Sequence, residues 1–403
     1  MYFFIIFYLL LFFYSFINRK IIPIALPIFL FAYPVNMPYI NWGAFGIDDL
    51  FIIASFVTSL KARGGIFDRW VNLNTLLFLI YSFGAFIGVL TVDNYSIIDF
   101  FKSTLQYFYL LIIVINIKKN SDLWTNFYIG LLFAVFIQSL FAIILYVQPL
   151  AFSYIADISA YIIDNSVFRA SGTFKGPWDL GGVLVITVLF LYYFLDTIKG
   201  KCVIVLQVIT LILAVYAIVL TNSRSSWLFF ITSMPIIFFK QKVKYLYLFV
   251  SICFFVSFFF DYSLIFQHID SRINYTFDGN SLDSSSQARL DIWYDILSKI
   301  SFPYLLIGCG SVYFFSMFNH TPHNSYLAIL CYSGLLGLIV FLRYFYFVFT
   351  IFIKTRYRVF IISLILGFSL FSLTVDSLYT PAIIHVLSFV LSLLYYRHYK
   401  EIV

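Results

Sequence analysis

Charge is what this sequence has least of. Only 11% of its 403 residues are Asp, Glu, Lys or Arg, against about 25% in a typical soluble domain, and Glu401 is its single glutamate. Apolar residues make up 63% of the chain, which is more apolar surface than a soluble fold of this length can keep away from water. The composition excludes an ordinary soluble protein and predicts an all-α, polytopic helical bundle in a membrane.

Several catalytic signatures are also absent. The four cysteines, at 202, 253, 309 and 331, are too scattered to suggest a disulfide framework or a redox motif. No Walker loop, Gly-x-Gly-x-x-Gly, Gly-x-Ser-x-Gly or His-Glu-x-x-His is present. No two carboxylates are separated by one residue, so the Asp-x-Asp pair of many nucleotide-sugar enzymes is missing. We therefore expect neither a metal ion nor a cofactor.

Long apolar runs are what the sequence has in abundance. Breaks at charged residues and at Gly, Pro, Asn and Ser clusters predict one integral membrane domain over residues 1–403 with about 12–13 transmembrane helices. The predicted spans lie near 2–18, 21–38, 47–61, 72–90, 99–117, 123–148, 178–198, 202–220, 225–239, 243–260, 325–350, 358–375 and 380–396.

The basic residues predict the orientation of these spans. Most of them fall on alternate loops, whereas most aspartates fall on the other loops, and loops rich in Lys and Arg face the cytoplasm. The first span has Arg19 and Lys20 after it and no basic residue before it, so we expect it to remain uncleaved with its N-terminus outside. The C-terminus is then cytoplasmic. The basic residues form no stripe interleaved with aromatics, so nucleic-acid binding is not indicated.

Two outer loops stand out by their length, at about 149–177 and 261–324. The second contains a predicted amphipathic helix that follows a Ser cap at Ser285 or Ser286 and lies on the outer membrane surface. This helix either closes over the bundle or shapes an entrance for lipid. Its apolar positions are Leu290, Trp293, Ile296, Leu297 and Ile300.

Four arginines are predicted on the outer, acidic side, where the positive-inside bias disfavours cations. They are Arg169, Arg224, Arg272 and Arg289. Each has two interpretations, an interfacial anchor or ion pair on the one hand and a ligand for an anion on the other. Arg224 favours the second, because it lies in the short polar turn "TNSRSSW", where a guanidinium and hydroxyl groups could face a phosphate at the membrane surface.

A histidine at the mouth of a predicted span is the candidate base. His323 stands in "HTPHNSYLAIL" with Asn324 beside it, and a histidine with a pKa near ~6.5 is mostly neutral at pH 7 and able to accept a proton. The alternative is a structural histidine, which is the commoner case. His320 could pair with it on a metal ion, but no further ligand at suitable spacing supports such a site.

Four segments in order resemble the superfamily of O-antigen polymerases (Wzy type) and O-antigen ligases. They are "RASGTFKGPWDLGG", "LTNSRSSW", "ARLDIWYDIL" with the later "PYLLIGCG", and "HNSYLAILCYSGLLG". The resemblance covers roughly 165–340. One departure is that the Arg-x10-Gly pattern of some polymerases fails at Arg169, because position 180 is Leu180 and the glycine follows at Gly181.

The resemblance implies a metal-independent, inverting glycosyltransferase of the bacterial inner membrane with a periplasmic active site. The donor is then an undecaprenyl-diphosphate-linked oligosaccharide, and the other partners are membrane lipid, a chain-length determinant protein and a flippase. His323 is the implied base, with Asp179 and Asp376 as the next candidates. Their placement on an otherwise acidic face makes Arg224 and Arg289, with Arg169, the predicted ligands of such a donor's diphosphate, supported by Asn324, Ser223 and Lys175.

Three functions stay open at this point. We favour a surface-polysaccharide polymerase, in which the acceptor is another lipid-linked repeat unit. The second is an O-antigen ligase that joins glycan to lipid A-core. The third is a polysaccharide flippase or other transporter, which the near absence of carboxylates in the middle of the predicted spans disfavours, because proton-coupled transport normally uses them.

Overall fold

The computed structural model describes residues 2–33, 46–60, 65, 67–91, 97–148, 169–174, 176–195, 200–238 and 284–402. These parts of the chain contain fifteen α-helices and no strand, which confirms the predicted all-α fold. The helices are α1 (Tyr2–Ile17), α2 (Ile22–Phe31), α3 (Ile47–Leu60), α4 (Arg69–Thr91), α5 (Ile97–Lys119), α6 (Trp124–Val147), α7 (Pro177–Tyr193), α8 (Lys201–Leu220), α9 (Arg224–Phe238), α10 (Ser284–Lys299), α11 (Phe302–Ile307), α12 (Ser311–Phe318), α13 (Ser325–Phe352), α14 (Arg358–Ser372) and α15 (Pro381–Ile402).

Within these described ranges, four helical segments are long and apolar enough to cross a membrane: Arg69–Gly88, Ser121–Val147, Lys201–Leu220 and Ser325–Phe352. Shorter apolar helices lie at Ile6–Ile17, Pro177–Tyr193 and Arg358–Ser372. The architecture is that of a polytopic membrane protein, and the number of 12–13 spans stays a prediction. The predicted span 243–260, most of the loop 149–177, Lys175 and Arg272 lie outside the described residues.

Helix α7 lies at the centre of the bundle. All of its residues except Trp178 and Tyr193 are buried, and it packs against α6, α8, α9, α14 and α15. Small residues let these helices approach closely, as expected where helices pack in lipid. A Cβ at Gly367 of α14 would lie 1.9 Å from Ser233 Oγ of α9, and one at Gly130 of α6 would lie 2.4 Å from the Ile24 carbonyl of α2.

Residues predicted on the cytoplasmic side meet at one end of the bundle. Asp68 accepts the backbone N–H groups of Trp70 and Val71 at 3.0 and 2.9 Å, so it caps α4, and its other oxygen lies 2.9 Å from Lys118 Nζ at the end of α5. Lys400 of α15 pairs with Asp122. The ends of α4, α5 and α15 therefore lie together, as the predicted topology requires.

Candidate functional site

The turn between α8 and α9 is built around Arg169. Its Nε donates to the carbonyl of Thr221 and its Nη2 to the carbonyl of Asn222, both at 3.0 Å, and the Ala170 N–H donates to the Leu220 carbonyl at 3.0 Å. These carbonyls belong to the C-terminal end of α8, where a positive charge is favourable. Arg169 therefore supports the turn, and a role as a ligand of the donor diphosphate stays a prediction.

Arg224 is the first residue of α9 and is half-buried. Ser223, just before it, is buried, and its hydroxyl receives hydrogen bonds from the backbone N–H of Ser226 at 3.4 Å and from the Ser226 hydroxyl at 3.0 Å. The hydroxyl of Ser225 lies 3.0 Å from the same oxygen. The start of α9 thus combines a helix N-terminus, three hydroxyl groups and a guanidinium, which is an environment suited to an anion.

Gln138 of α6 holds the loop 169–174 in place. The sequence analysis did not identify this residue. Gln138 is 1% exposed, and its Oε1 accepts from the Thr173 hydroxyl at 3.0 Å and from the Thr173 N–H at 3.4 Å. Gly172 has a φ of +59° and packs against the same amide, so that a Cβ there would lie 3.0 Å from Gln138 Nε2. The sequence does contain a signal for Gln138, because a polar amide in the middle of an apolar span usually has a specific role.

The first turns of α7 pack against two groups of candidate residues, one on each of two adjacent sides. A Cβ at Gly181 would lie 2.1 Å from Ser226 Oγ, beside Arg224. A Cβ at Gly182 would lie 3.0 Å from both Phe371 and Ile383, which flank the turn that carries Asp376. The structure therefore places the Arg224 turn and the Asp376 turn on adjacent sides of one helix. Asp179, predicted as an alternative base, is buried in these turns.

His323 and Asp376 form the second group. His323 has a φ of +50°, and its backbone N–H donates to Asp376 Oδ2 at 3.2 Å, while the Asn324 N–H donates to Asp376 Oδ1 at 2.8 Å. One carboxylate thus holds the backbone of both residues. Sequence reasoning named Asp376 only as a fallback base, and the structure instead places it as the support of the predicted base, 53 residues away in sequence.

The charges around His323 act on its protonation in opposite directions. Burial lowers the pKa of His323, Asp376 raises it, and Arg289 and His320 lower it further. Burial also raises the pKa of Asp376, against the opposing effects of His323 and of hydrogen bonds from Thr321 and from two backbone N–H groups. Arg289, one of the predicted phosphate ligands, is thus one of the charges that act on this histidine.

Asn324 immediately precedes α13 and has a structural role there. Its side-chain oxygen accepts the N–H groups of Tyr326 and Leu327 at 3.0 and 3.1 Å, which is a helix N-cap. The next residue, Ser325, donates to the Val375 carbonyl at 2.7 Å and lies 2.9 Å from the Ser377 hydroxyl. His323 and the two residues after it are therefore all bonded to the Asp376 turn, which fixes the backbone from which the imidazole extends.

The predicted helix in the second loop is confirmed as α10, although it begins at Ser284, before the predicted cap, and its location on the outer membrane surface stays a prediction. Its apolar stripe is divided. Ile296 and Ile300 are buried, whereas Leu290 and Leu297 are 43% and 61% exposed. Between them Trp293 donates from Nε1 to the Pro322 carbonyl at 2.7 Å, so α10 contacts the loop that carries His323.

No metal centre accompanies the histidines in the part of the chain that the structure describes. It contains no group of three or more His, Cys, Asp or Glu side chains that could hold a metal ion. His320 lies next to Phe318, with ring centroids 6.1 Å apart. Its Nδ1 is buried without a hydrogen-bond partner, so the geometry shows no shared ligand with His323.

Residues 209–342 match the family model described as O-antigen ligase. The matched segment contains Arg224, Arg289, His323 and Asn324, and it ends before Asp376. The match confirms the resemblance to the O-antigen polymerase and ligase superfamily that the sequence motifs predict. No curated protein matches the chain.

Proposed function

We propose that this membrane protein, with its O-antigen ligase-type segment, is a surface-polysaccharide polymerase. It transfers glycan from an undecaprenyl-diphosphate donor to a lipid-linked repeat unit on the periplasmic face of the inner membrane. The observation that carries the proposal is the hydrogen bonding of the His323 and Asn324 backbone to Asp376, on the side of α7 adjacent to the Arg224 turn.

The donor's leaving group determines what the arginines do. When the bond between the anomeric carbon and the phosphate oxygen breaks, its electron pair stays on the lipid diphosphate, and the added negative charge must be neutralised. Arg224 and Arg289 supply the positive charge that neutralises it, through bidentate hydrogen bonds to the phosphate oxygens. The hydroxyl groups and the N-terminus of α9 contribute further donors around Arg224, while Arg169 keeps their turn in place.

The acceptor's proton is the other requirement. The acceptor hydroxyl forms the new glycosidic bond on the opposite face of the anomeric carbon, with inversion, and its proton passes to the His323 imidazole. The lowered pKa of His323 keeps the imidazole neutral at pH 7 and ready to accept this proton. Asp376 then stabilises the imidazolium that forms, because its charge favours the protonated ring.

A ligase is the second candidate, and the description of the matched family model favours it. The same donor chemistry applies, with lipid A-core as the acceptor. Glycan profiling of a deletion strain separates the two: loss of a polymerase leaves core that bears a single repeat unit, whereas loss of a ligase leaves bare core. Normal polymer in the deletion strain would contradict both. A chain-length determinant protein and a flippase are the proposed protein partners.

A further inference from the structure

α11 and α12 form a helical hairpin within the predicted outer loop 261–324. The hairpin differs from the rest of that loop in having no charged residue. Residues 300–318 contain no Asp, Glu, Lys, Arg or His. Its two helices, of 6 and 8 residues, are each too short to span a membrane, which takes about 20 residues. Gly308, Cys309 and Gly310 join them and form the tip of the hairpin, because Tyr304 of α11 contacts Tyr313 of α12, with ring centroids 5.4 Å apart.

The outward surface of this hairpin is apolar and continues the apolar surface of two membrane helices. α11 packs against α13, and α12 packs against both α4 and α13, and α4 and α13 contain two of the segments long and apolar enough to cross a membrane. Large exposed apolar side chains occur on all four helices. They include Phe302, Leu306, Ile307, Phe315 and Met317 on the hairpin, and Phe86 and Leu336 on α4 and α13.

The polar backbone groups at the tip are satisfied by protein. α13 is broken at Gly334, which has a φ of +69°, so the carbonyls before the break are free to accept other donors. The Cys309 N–H donates to the Cys331 carbonyl at 2.8 Å and the Gly310 N–H to the Tyr332 carbonyl at 3.1 Å. Backbone that is neither helix nor barrel is tolerated at membrane depth only when it is satisfied in this way.

The tip lies at the same depth when its distance is measured from the outer end of either neighbouring helix, α13 or α4. Tyr332 lies seven residues into α13, whose first residue is Ser325, which is about 10 Å along the axis at 1.5 Å per residue. Gly310 also packs against α4, where a Cβ would lie 2.3 Å from the Gly84 carbonyl. Gly84 lies seven residues before the end of α4 at Thr91, again about 10 Å.

We propose that Phe302–Phe318 is a re-entrant hairpin whose apolar face contacts the hydrocarbon of the leaflet at the candidate site's end of the bundle. Its occupant is bilayer lipid, because the exposed face has no charge and is continuous with the lipid-facing sides of α4 and α13. The buried side of α10 packs with this hairpin, because Ile296 belongs to the same apolar cluster as Cys309 and Phe314. Since α10 also contacts the His323 loop through Trp293, the hairpin supports the helix that holds the candidate base.

Single-cysteine labelling in proteoliposomes tests this location. The full chain is made without its native cysteines, and one cysteine is then introduced as Leu306→Cys on α11 or Phe315→Cys on α12. Ser298→Cys on the exposed side of α10 is the water-facing control, and Leu336→Cys on α13 is the lipid-facing control. The vesicles are made permeable to reagents, so that the result does not depend on orientation.

We expect both hairpin cysteines to react with a water-soluble maleimide at least 10-fold more slowly than Ser298→Cys, at a rate close to that of Leu336→Cys. A bimane group attached at either position should be quenched by lipids that carry a nitroxide on the acyl chain. Labelling of both as fast as Ser298→Cys, or no quenching by these lipids, would overturn the proposal. If either variant fails to insert, Met317→Cys replaces it, because Met317 is also an exposed apolar residue of the hairpin.

Discussion

Replacing Asp376 with Asn separates a positioning role for this carboxylate from a merely structural one. The substitution keeps the shape of the side chain and one oxygen that can still accept from the Asn324 N–H. It places an amide N–H₂, a donor, where Oδ2 now accepts the His323 N–H at 3.2 Å. The variant therefore loses one hydrogen bond to a charged group and the negative charge beside the imidazole.

The expected magnitude follows from these two losses. A hydrogen bond to a charged group contributes about 1.5–3 kcal/mol, and about 1.4 kcal/mol in the barrier is a factor of ten in rate. Because His323 accepts the proton in the transition state, losing this bond should raise the barrier by a similar amount, and kcat should fall by roughly 10- to 100-fold. Because Asp376 raises the pKa of His323, its removal lowers that pKa further, so the acidic limb of the pH profile moves to lower pH.

The assay is elongation or transfer of lipid-linked repeat units by purified protein, with kcat/KM measured from pH 5 to pH 9. Asp291→Asn is the matched control, because Asp291 is an exposed aspartate of α10 whose Oδ1 accepts a hydrogen bond from Gln287 of the same helix at 3.0 Å. An Asp376→Asn enzyme with the control's rate and an unmoved acidic limb would refute the assignment of Asp376 as the support of the base.

Much of the fold was predictable because charged residues bound the apolar runs. α5, α6, α8 and α13 begin and end within a few residues of the predicted spans, where residues such as Lys118 and Lys201 mark the ends. The hairpin of α11 and α12 was missed because periodicity and length cannot identify helices this short. Its tip is held by backbone carbonyls at 331 and 332, which have no signature in the residue types around them.

The sequence predicted which residues belong to the candidate site. It did not predict the hydrogen bonds between residues that are distant in sequence. The positive-inside bias made outward arginines stand out, but it could not show that Arg169 binds the carbonyls of Thr221 and Asn222, since any residues supply such carbonyls. The support of His323 by Asp376 joins two turns that are distant in sequence. On α10 the helical spacing predicted the apolar stripe, but only packing decides that Ile296 is buried and Leu297 exposed.

Three further substitutions test the site and the fold. His323→Ala should insert normally and lower the rate by ~10²–10⁴-fold, as expected for loss of a general base, whereas His320→Ala stays near wild type; equal rates at matched protein level would move the base elsewhere. Arg224→Lys keeps the charge but loses the bidentate fork, so polymer yield should fall while expression, measured by immunoblot, is unchanged, and a wild-type chain-length ladder would contradict the phosphate assignment. Gly310→Ala should lower the thermal midpoint of the purified protein, since φ +74° with ψ 151° is a backbone conformation essentially restricted to glycine and costs other residues about 1–3 kcal/mol, and the new Cβ would meet the α4 backbone at 2.3 Å. Gly200→Ala, where the nearest side chain is 3.6 Å away, is the control, and an equal midpoint for the two variants would mean that the hairpin tip does not pack against α4 as described.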